Sequence, residues 1–292
     1  MNNELWNIQT EKEFFIKSFN DFLSIDQLFY KVKDDYYAYV PKSMRSEGKT
    51  LQSRNSFIGQ YTENWCNALL SPIANKLGLY AIRGVVCEEL DLPPRSPADI
   101  AFCKKNSICQ KPDDVKLIFE VKMSIVSNYK YLGKDSVLYV GDYKTHRGTP
   151  SLLRSDSMLK AIGKSINLRV SSKDARKIPI VILGNSPIQE SYAAKVDMLK
   201  QSGVVQGFWS LHPNPTEQEH IKCTDKKGFL TINNTNEIYA LCLNMINNDL
   251  SYFSAMLSKQ TIGKIISIAN LEKTNESKAE KFLSLLNEDI HE

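Results

Sequence analysis

Leu117-Ile118-Phe119-Glu120-Val121-Lys122-Met123 is an apolar stretch that carries two charged residues, and it predicts a buried β-strand. Because successive side chains of a strand point to opposite faces, Glu120 and Lys122 share one face, and the apolar residues beside them share the other. Two charges within so apolar a strand cost free energy unless they are paired or perform chemistry. The pair therefore marks either an ion pair at a solvated sheet edge or part of a reaction site.

Asp99 provides a second carboxylate, separated from Glu120 by twenty residues. It follows Pro97 in a short apolar run, residues 98–102, which predicts another strand. Two such strands could bring both carboxylates and Lys122 to one sheet edge. A carboxylate pair suits a hard divalent cation such as Mg²⁺, and a neighbouring lysine can orient a water and stabilise charge on a phosphate. Asp99 also fits the simpler role of capping a turn after Pro97.

The composition is that of an ordinary globular protein, with 292 residues, of which 42% are hydrophobic and 24% charged. The net charge of +4 permits binding to a polyanion but does not argue for it, so a nucleic-acid function must be judged from local residues. The six cysteines form no CxxC pair. No secretory leader is visible, and no apolar run approaches the ~18 residues of a membrane span. We therefore expect a reduced, cytoplasmic protein with no membrane association.

The order of predicted elements places these charged residues in an α/β fold. Between residues 56 and 211 the periodicities predict a helix, three strands, a helix, a strand, a helix and a final strand. Strands that first follow one another and then alternate with helices predict a mixed central β-sheet flanked by helices. We expect an N-terminal helical and basic extension over 1–55, a core over 56–215, and a mostly helical C-terminal region over 216–292.

This order, with Pro-x-Asp on the second strand and Glu-x-Lys on the third, resembles the PD-(D/E)xK nuclease superfamily, and within it the type II restriction endonucleases. The match covers residues 56–211, although Pro97-Ala98-Asp99 departs from the motif in which proline directly precedes aspartate. The resemblance implies a restriction-endonuclease-like fold with helical additions at both ends. It also implies Mg²⁺-dependent, sequence-specific cleavage of double-stranded DNA.

The resemblance also assigns a role to each residue of the motif. Asp99, Glu120 and the Val121 carbonyl would bind Mg²⁺, and Lys122 would position the attacking water. Glu63, on the helix before the first strand, matches the acid that would complete a second metal site. A glutamate on a helix also fits an ordinary solvated face.

Basic residues near the motif are the candidates for contact with DNA, although a solvated loop is the simpler interpretation of them. In a nuclease, some of them would contact the phosphate backbone or base edges. The candidates are Lys130, Lys144, His146, Arg147 and Arg154 after the Glu-x-Lys strand, and Arg54 before the first helix. Type II enzymes typically act as homodimers on palindromic sites. The apolar C-terminal helices could form that dimer or pack on their own core.

Two other readings of the chain stay open. One is a repair or junction-resolving nuclease, which would recognise DNA structure in place of sequence. The other is a DNA-binding protein without catalysis, in which the Asp, Glu and Lys set is structural. A zinc site at His212, His220 and Cys223 is not expected, because their spacing fits no standard zinc pattern.

Overall fold

The computed structural model describes residues 4–21, 23–44, 52–133, 136–254 and 257–288. The chain forms two compact units, residues 1–250 and 251–292. Residues 1–55 and 216–250 fall within the first unit, and the rest of the C-terminal region expected over 216–292 forms the second. None of the helices in the described part of the chain combines the length and apolar character that crossing a bilayer requires.

Among the described residues, six α-helices belong to the first unit and two to the second. The first unit contains α1 (Ile8–Asn20), α2 (Ile25–Leu28), α3 (Gln52–Lys76), α4 (Ser155–Ser171), α5 (Glu190–Gln201) and α6 (Thr235–Asn247). The second contains α7 (Lys259–Ala269) and α8 (Asn275–Glu288). Asn7 caps α1 by accepting hydrogen bonds from the backbone N–H groups of Gln9 and Thr10.

In the described part of the first unit, ten strands form two sheets. They are β1 (Tyr30–Val32), β2 (Asp35–Tyr37), β3 (Tyr80–Val85), β4 (Ala98–Cys103), β5 (Val115–Val121), β6 (Asn128–Gly133), β7 (Ser136–Gly141), β8 (Ile180–Gly184), β9 (Gly207–Ser210) and β10 (Phe229–Thr231). The larger sheet has the order β10-β9-β8-β5-β4-β3. Its strands are antiparallel from β3 to β5 and parallel from β5 to β10. The smaller sheet, β1-β2-β6-β7, is antiparallel.

The mixed α/β class expected from the sequence is confirmed, and the differences lie in the smaller elements. The apolar pattern over residues 11–28 predicts one helix, whereas the structure divides this region into α1 and α2. Strands β6 and β10 were not predicted, because they are short and polar residues interrupt or flank them. The helix predicted from Ser56 begins at Gln52, and Pro72 lies within it without ending it.

The two faces of the larger sheet carry different residues. Phe102 and Phe119 point to the face covered by α3, where their rings make an edge contact with centroids 5.0 Å apart. Ile118 and Glu120 point to the opposite face, where they line a small cavity with residues of α4. The side chains of β5 therefore alternate between the two faces as predicted, and this alternation turns the Glu120 carboxylate towards α4.

Candidate active site

Asp99, Glu120 and Lys122 meet at one edge of the larger sheet. The Lys122 ammonium lies 2.5 Å from Glu120 Oε1 and 3.9 Å from Asp99 Oδ2. The same ammonium donates to the Val121 carbonyl at 3.2 Å. Three oxygens, from Asp99, Glu120 and Val121, therefore surround one cationic nitrogen.

Strand register explains this convergence. In the antiparallel pair, Ile100 lies opposite Phe119, so the next pair outward is Asp99 and Glu120. The Val121 N–H donates to Asp99 Oδ2 at 2.8 Å, which ties the Asp99 carboxylate to the end of β5. A slip of one residue would turn one carboxylate to the other face, so the register itself assembles the site.

The backbone of Lys122 is held by groups that sequence reasoning missed. Its N–H donates to the Leu183 carbonyl at 2.7 Å, and its carbonyl accepts from Ser151 Oγ at 2.7 Å. The backbone N–H of the buried Asn185 donates to the same Ser151 Oγ at 3.0 Å. The side-chain amide of Asn185 accepts from the Ser124 N–H and donates to the Ser124 carbonyl. The turn after β8, which the sequence showed only as a strand-to-helix connection, therefore fixes the chain on both sides of Met123.

The N-terminal helix anchors the segment that follows the site. Glu11 is fully buried and accepts hydrogen bonds from the Val126 N–H at 2.6 Å, the Ser127 N–H at 3.1 Å, the Trp6 indole at 3.1 Å and the Tyr129 hydroxyl at 2.9 Å. Burial raises the pKa of the Glu11 carboxyl, and these four donors partly offset the effect. Glu11 therefore links α1 to the loop that leaves the Glu-x-Lys strand.

Burial dominates the electrostatics of Glu120, which is 5% exposed. Burial raises the pKa of its carboxyl, and the Asp99 carboxylate raises the pKa further. The ammonium groups of Lys122 and Lys164 offset part of this rise. Both ammonium groups contact its oxygens and stabilise the carboxylate form against the effect of burial.

Lys164, on α4, is the member of the site that the sequence did not reveal. Its ammonium lies 2.6 Å from Glu120 Oε2 and 3.2 Å from Asp99 Oδ1, and it donates to the Pro97 carbonyl at 3.1 Å. Burial by itself lowers the pKa of Lys164, but the two carboxylates outweigh that effect and the pKa is raised. Lys164 adjoins the buried positions Ala161, Ser165 and Leu168 of α4, which the sequence by itself does not single out.

Glu63 lies on α3 and is half-buried near these groups. Burial raises the pKa of its carboxyl, and the Asp99 carboxylate adds to the rise, whereas Arg83, Lys122 and Lys164 oppose it. The position predicted from the sequence thus lies within the electrostatic field of the site. Its carboxylate is not among those that hold the two ammonium groups.

The donor set suits one hard divalent cation. Among the described residues, no group of three or more His, Cys, Asp or Glu side chains is arranged to hold a metal ion. Mg²⁺, however, is typically held by one or two carboxylates together with water and substrate oxygens. Oxygens of Asp99, Glu120 and Val121 already surround the Lys122 ammonium, so this point attracts a cation and provides hard ligands.

Two residues expected to contact DNA lie in the core, which corrects the sequence-based expectation. Arg54 is 3% exposed, and it donates to the carbonyls of Leu28 and Ala38 and lies over the rings of Tyr30 and Tyr39. His146 is 1% exposed. Basic residues near a motif are expected at the surface because burial of charge is costly, but here carbonyl acceptors and aromatic rings compensate for it.

The four other basic candidates retain exposure to different degrees. Arg147 and Arg154 are exposed, and Arg154 pairs with Asp156 at 3.4 Å. Lys144 donates to the Glu219 carbonyl at 3.0 Å, and Lys130 pairs with Asp35 at 2.8 Å on the smaller sheet. These side chains can still reach a ligand, because surface ion pairs of this kind are weak.

A separate cavity of about 830 Å³ contains none of the site carboxylates. His212 and His220 are among the residues that line it. His212 is buried, and burial, followed by the proximity of His220, lowers its pKa to about 4. The imidazole of His212 is therefore neutral near pH 7.

Comparison with protein-family models, with curated proteins and with solved structures finds no match to this chain. Functional interpretation therefore depends on the residues of the site and on their geometry.

Proposed function

We propose that this protein is a Mg²⁺-dependent, sequence-specific endonuclease of the type II restriction class that cleaves double-stranded DNA by phosphodiester hydrolysis. One observation carries the proposal: oxygens of Asp99, Glu120 and Val121 converge on the Lys122 ammonium. Two carboxylates, a carbonyl and a lysine at one point form the minimal set for metal-assisted attack of water on a phosphate.

Each residue of the set has a distinct task in this proposal. Asp99, Glu120 and the Val121 carbonyl would hold Mg²⁺, which when bound polarises the scissile phosphate and stabilises the charge of the transition state. Lys122 leaves its carboxylate partners to hydrogen-bond the attacking water and orient it towards phosphorus. Glu63 adds negative charge beside Asp99 and strengthens the attraction of the site for cations.

The connectivity of the larger sheet supports a restriction-endonuclease-like core. Helix α3 precedes three antiparallel strands, β3 to β5, and β8 and β9 then extend the sheet in parallel after α4 and α5. The carboxylates lie on β4 and β5, which are adjacent interior strands of the larger sheet. This is the arrangement that the family resemblance implies for the residues of the motif.

The partners follow from the same chemistry. The substrate is double-stranded DNA, with Lys144, Arg147 and Arg154 as the residues proposed to contact its phosphates. A homodimer would match a palindromic site, with one catalytic centre for each strand. All six cysteines are free thiols, which supports the expectation of a reducing, cytoplasmic environment.

The test is incubation of the purified protein with a plasmid of known sequence, in Mg²⁺ and in chelator. We expect discrete fragments that require Mg²⁺, and at least about a hundredfold lower cleavage rate for Lys122→Met with DNA binding retained. Lys160→Met, an exposed position on α4, is the matched control and should cleave normally.

Other outcomes would support the alternative readings. Cleavage confined to branched or mismatched DNA would indicate a structure-specific repair or junction nuclease. Tight DNA binding without cleavage in Mg²⁺ or Mn²⁺ would contradict catalysis and leave a binding protein. Loss of folding in Lys122→Met would indicate that the charged set is structural.

A further inference from the structure

Each carboxylate of the site presents its two oxygens to two different ammonium groups. Asp99 Oδ2 and Glu120 Oε1 face Lys122, together with the Val121 carbonyl, and we call this group of oxygens the front cage. Asp99 Oδ1 and Glu120 Oε2 face Lys164, together with the Pro97 carbonyl, and we call this group the rear cage. The two cages have the same composition, with two carboxylate oxygens and one backbone carbonyl each.

The rear cage lies beneath α4, and the Lys164 side chain that fills it is 30% exposed. Lys164 projects from the middle of α4, and the cavity around it measures only about 40 Å³. Apolar residues line much of that cavity, among them Ala98, Ile118, Leu168 and Ile180. The Lys164 ammonium itself occupies the position that faces Asp99 Oδ1, Glu120 Oε2 and the Pro97 carbonyl. The rear cage is therefore built for the ammonium that fills it.

The charges around Lys164 explain why it remains a cation. Asp99 and Glu120 raise its pKa against the effect of burial. The other charged groups near the cages are Lys122, Glu63 on α3 with Arg83 close to it, and Asp91, which shares the small cavity with Lys164. Asp99 and Glu120 each face the same two ammonium groups, of Lys122 and Lys164.

We propose that Lys164 is a built-in cation that fills a second cation position behind the two carboxylates and weakens the binding of a divalent ion at the front cage. This inference depends on the proposed metal site at Asp99, Glu120 and Val121. Lys164 and an ion in the front cage would contact opposite oxygens of the same two carboxylates, Asp99 and Glu120. The two cations would be separated by only the width of a carboxylate group, so the charge of Lys164 would repel the ion. Lys164 also keeps the oxygens of the front cage aimed forward, which makes it a positioning residue.

The experiment measures Mn²⁺ binding to the purified full-length protein without DNA, by titration calorimetry or by the signal of free Mn²⁺ in electron paramagnetic resonance. The variants are Lys164→Met and Lys164→Gln, which remove the charge, and Lys164→Arg, which keeps it. Lys160→Met, one turn earlier on α4 and exposed, is the matched control. Circular dichroism establishes that each variant is folded.

We expect both neutral variants to bind Mn²⁺ at least about tenfold more tightly than the wild type, a change of about 1.4 kcal/mol. Lys164→Arg and Lys160→Met should bind like the wild type. In Mg²⁺, the neutral variants should cleave DNA with a lower kcat and an unchanged KM for DNA, because the carboxylates lose their rear anchor. A purely structural lysine would not tighten the binding of the metal.

Unchanged or weaker Mn²⁺ binding by the folded neutral variants would overturn the role of Lys164 while leaving the metal site in place. If Lys164→Met does not fold, Lys164→Gln decides the question, since its amide can still bond to the Pro97 carbonyl. No Mn²⁺ binding by the wild type or by either neutral variant would overturn the proposed metal site, and this inference with it.

Discussion

Acid should destabilise this protein through His146, and the structure indicates by how much. The imidazole stacks on Tyr39 with ring centroids 4.1 Å apart, and Nε2 lies 2.9 Å from the Val126 carbonyl. A carbonyl only accepts, so Nε2 carries the proton and Nδ1 is the free nitrogen of the neutral ring. Nδ1 is buried without a hydrogen-bond partner, so protonation there would create an unpaired buried donor close to the charge of Arg54.

Burial, with Arg54 as a further contributor, lowers the pKa of His146 to about 4, although the bond to Val126 opposes the shift. An unfolded chain has a histidine pKa of about 6.5, so between these values the unfolded state binds more protons than the folded state. The stabilisation is therefore present above about pH 6.5 and is lost as the pH falls towards 4. From about pH 7 to about pH 4.5 the loss due to His146 is about 2.5 kcal/mol.

The assay is urea unfolding followed by circular dichroism at several pH values, for the wild type and for His146→Phe. The variant keeps an aromatic ring against Tyr39 but cannot titrate. It should be less stable near neutral pH by about 1–3 kcal/mol, because the Val126 carbonyl loses its donor. On acidification its stability should fall by about 2.5 kcal/mol less than that of the wild type. His212 and the buried carboxylates titrate in both proteins, so they cancel in the difference.

Equal acid sensitivity of the two proteins would refute the reasoning, since it would mean that His146 titrates normally in the folded state. The same variant also tests the correction to the DNA-binding set. Its DNA affinity near neutral pH should equal that of the wild type, because a residue that is 1% exposed cannot contact a duplex.

Two further substitutions test the structural roles assigned to buried charges. Glu11→Ala leaves four donors without their acceptor and should lower the free energy of unfolding by about 3–5 kcal/mol, measured in urea against the exposed control Glu13→Ala. Equal stability of the two variants would show that Glu11 does not anchor the loop after the site. Arg54→Met should lower the free energy of unfolding by about 2–4 kcal/mol and leave the affinity for DNA unchanged. Arg147→Met should weaken DNA binding and leave the free energy of unfolding unchanged. The reverse pattern would restore Arg54 as a DNA contact.

Sequence reasoning succeeded where the signal is local. The strand around Glu120 was predicted because apolar residues flank the charges, and the pairing of Glu120 with Lys122 follows from the two-residue period of a strand. The order of the helices and of the larger sheet's strands from 56 to 211 was predicted for the same reason, since each of these elements repeats apolar residues with its own period. β10 has only three residues and shows no period, and polar residues interrupt the apolar pattern of β6.

The remaining members of the site could not be predicted from local patterns. Lys164 reaches the carboxylates only because α4 packs across the face of the sheet that carries Glu120, and that choice of face is a property of the whole fold. Ser151 and Asn185 act on Lys122 and its neighbours through hydrogen bonds that span 29 and 61 residues of chain. Arg54 and His146 look like surface charges until the tertiary structure surrounds them with carbonyls and rings.

The amino-acid sequence by itself determined the elements of this protein and the chemistry of its motif, because side-chain alternation and residue type are local properties. The tertiary structure alone decided which oxygens meet which cations. Strand register placed Asp99 opposite Glu120, and helix packing brought Lys164 behind both carboxylates. Contacts between distant segments depend on the summed packing of the core rather than on any one stretch of sequence, and for that reason they become visible only in three dimensions.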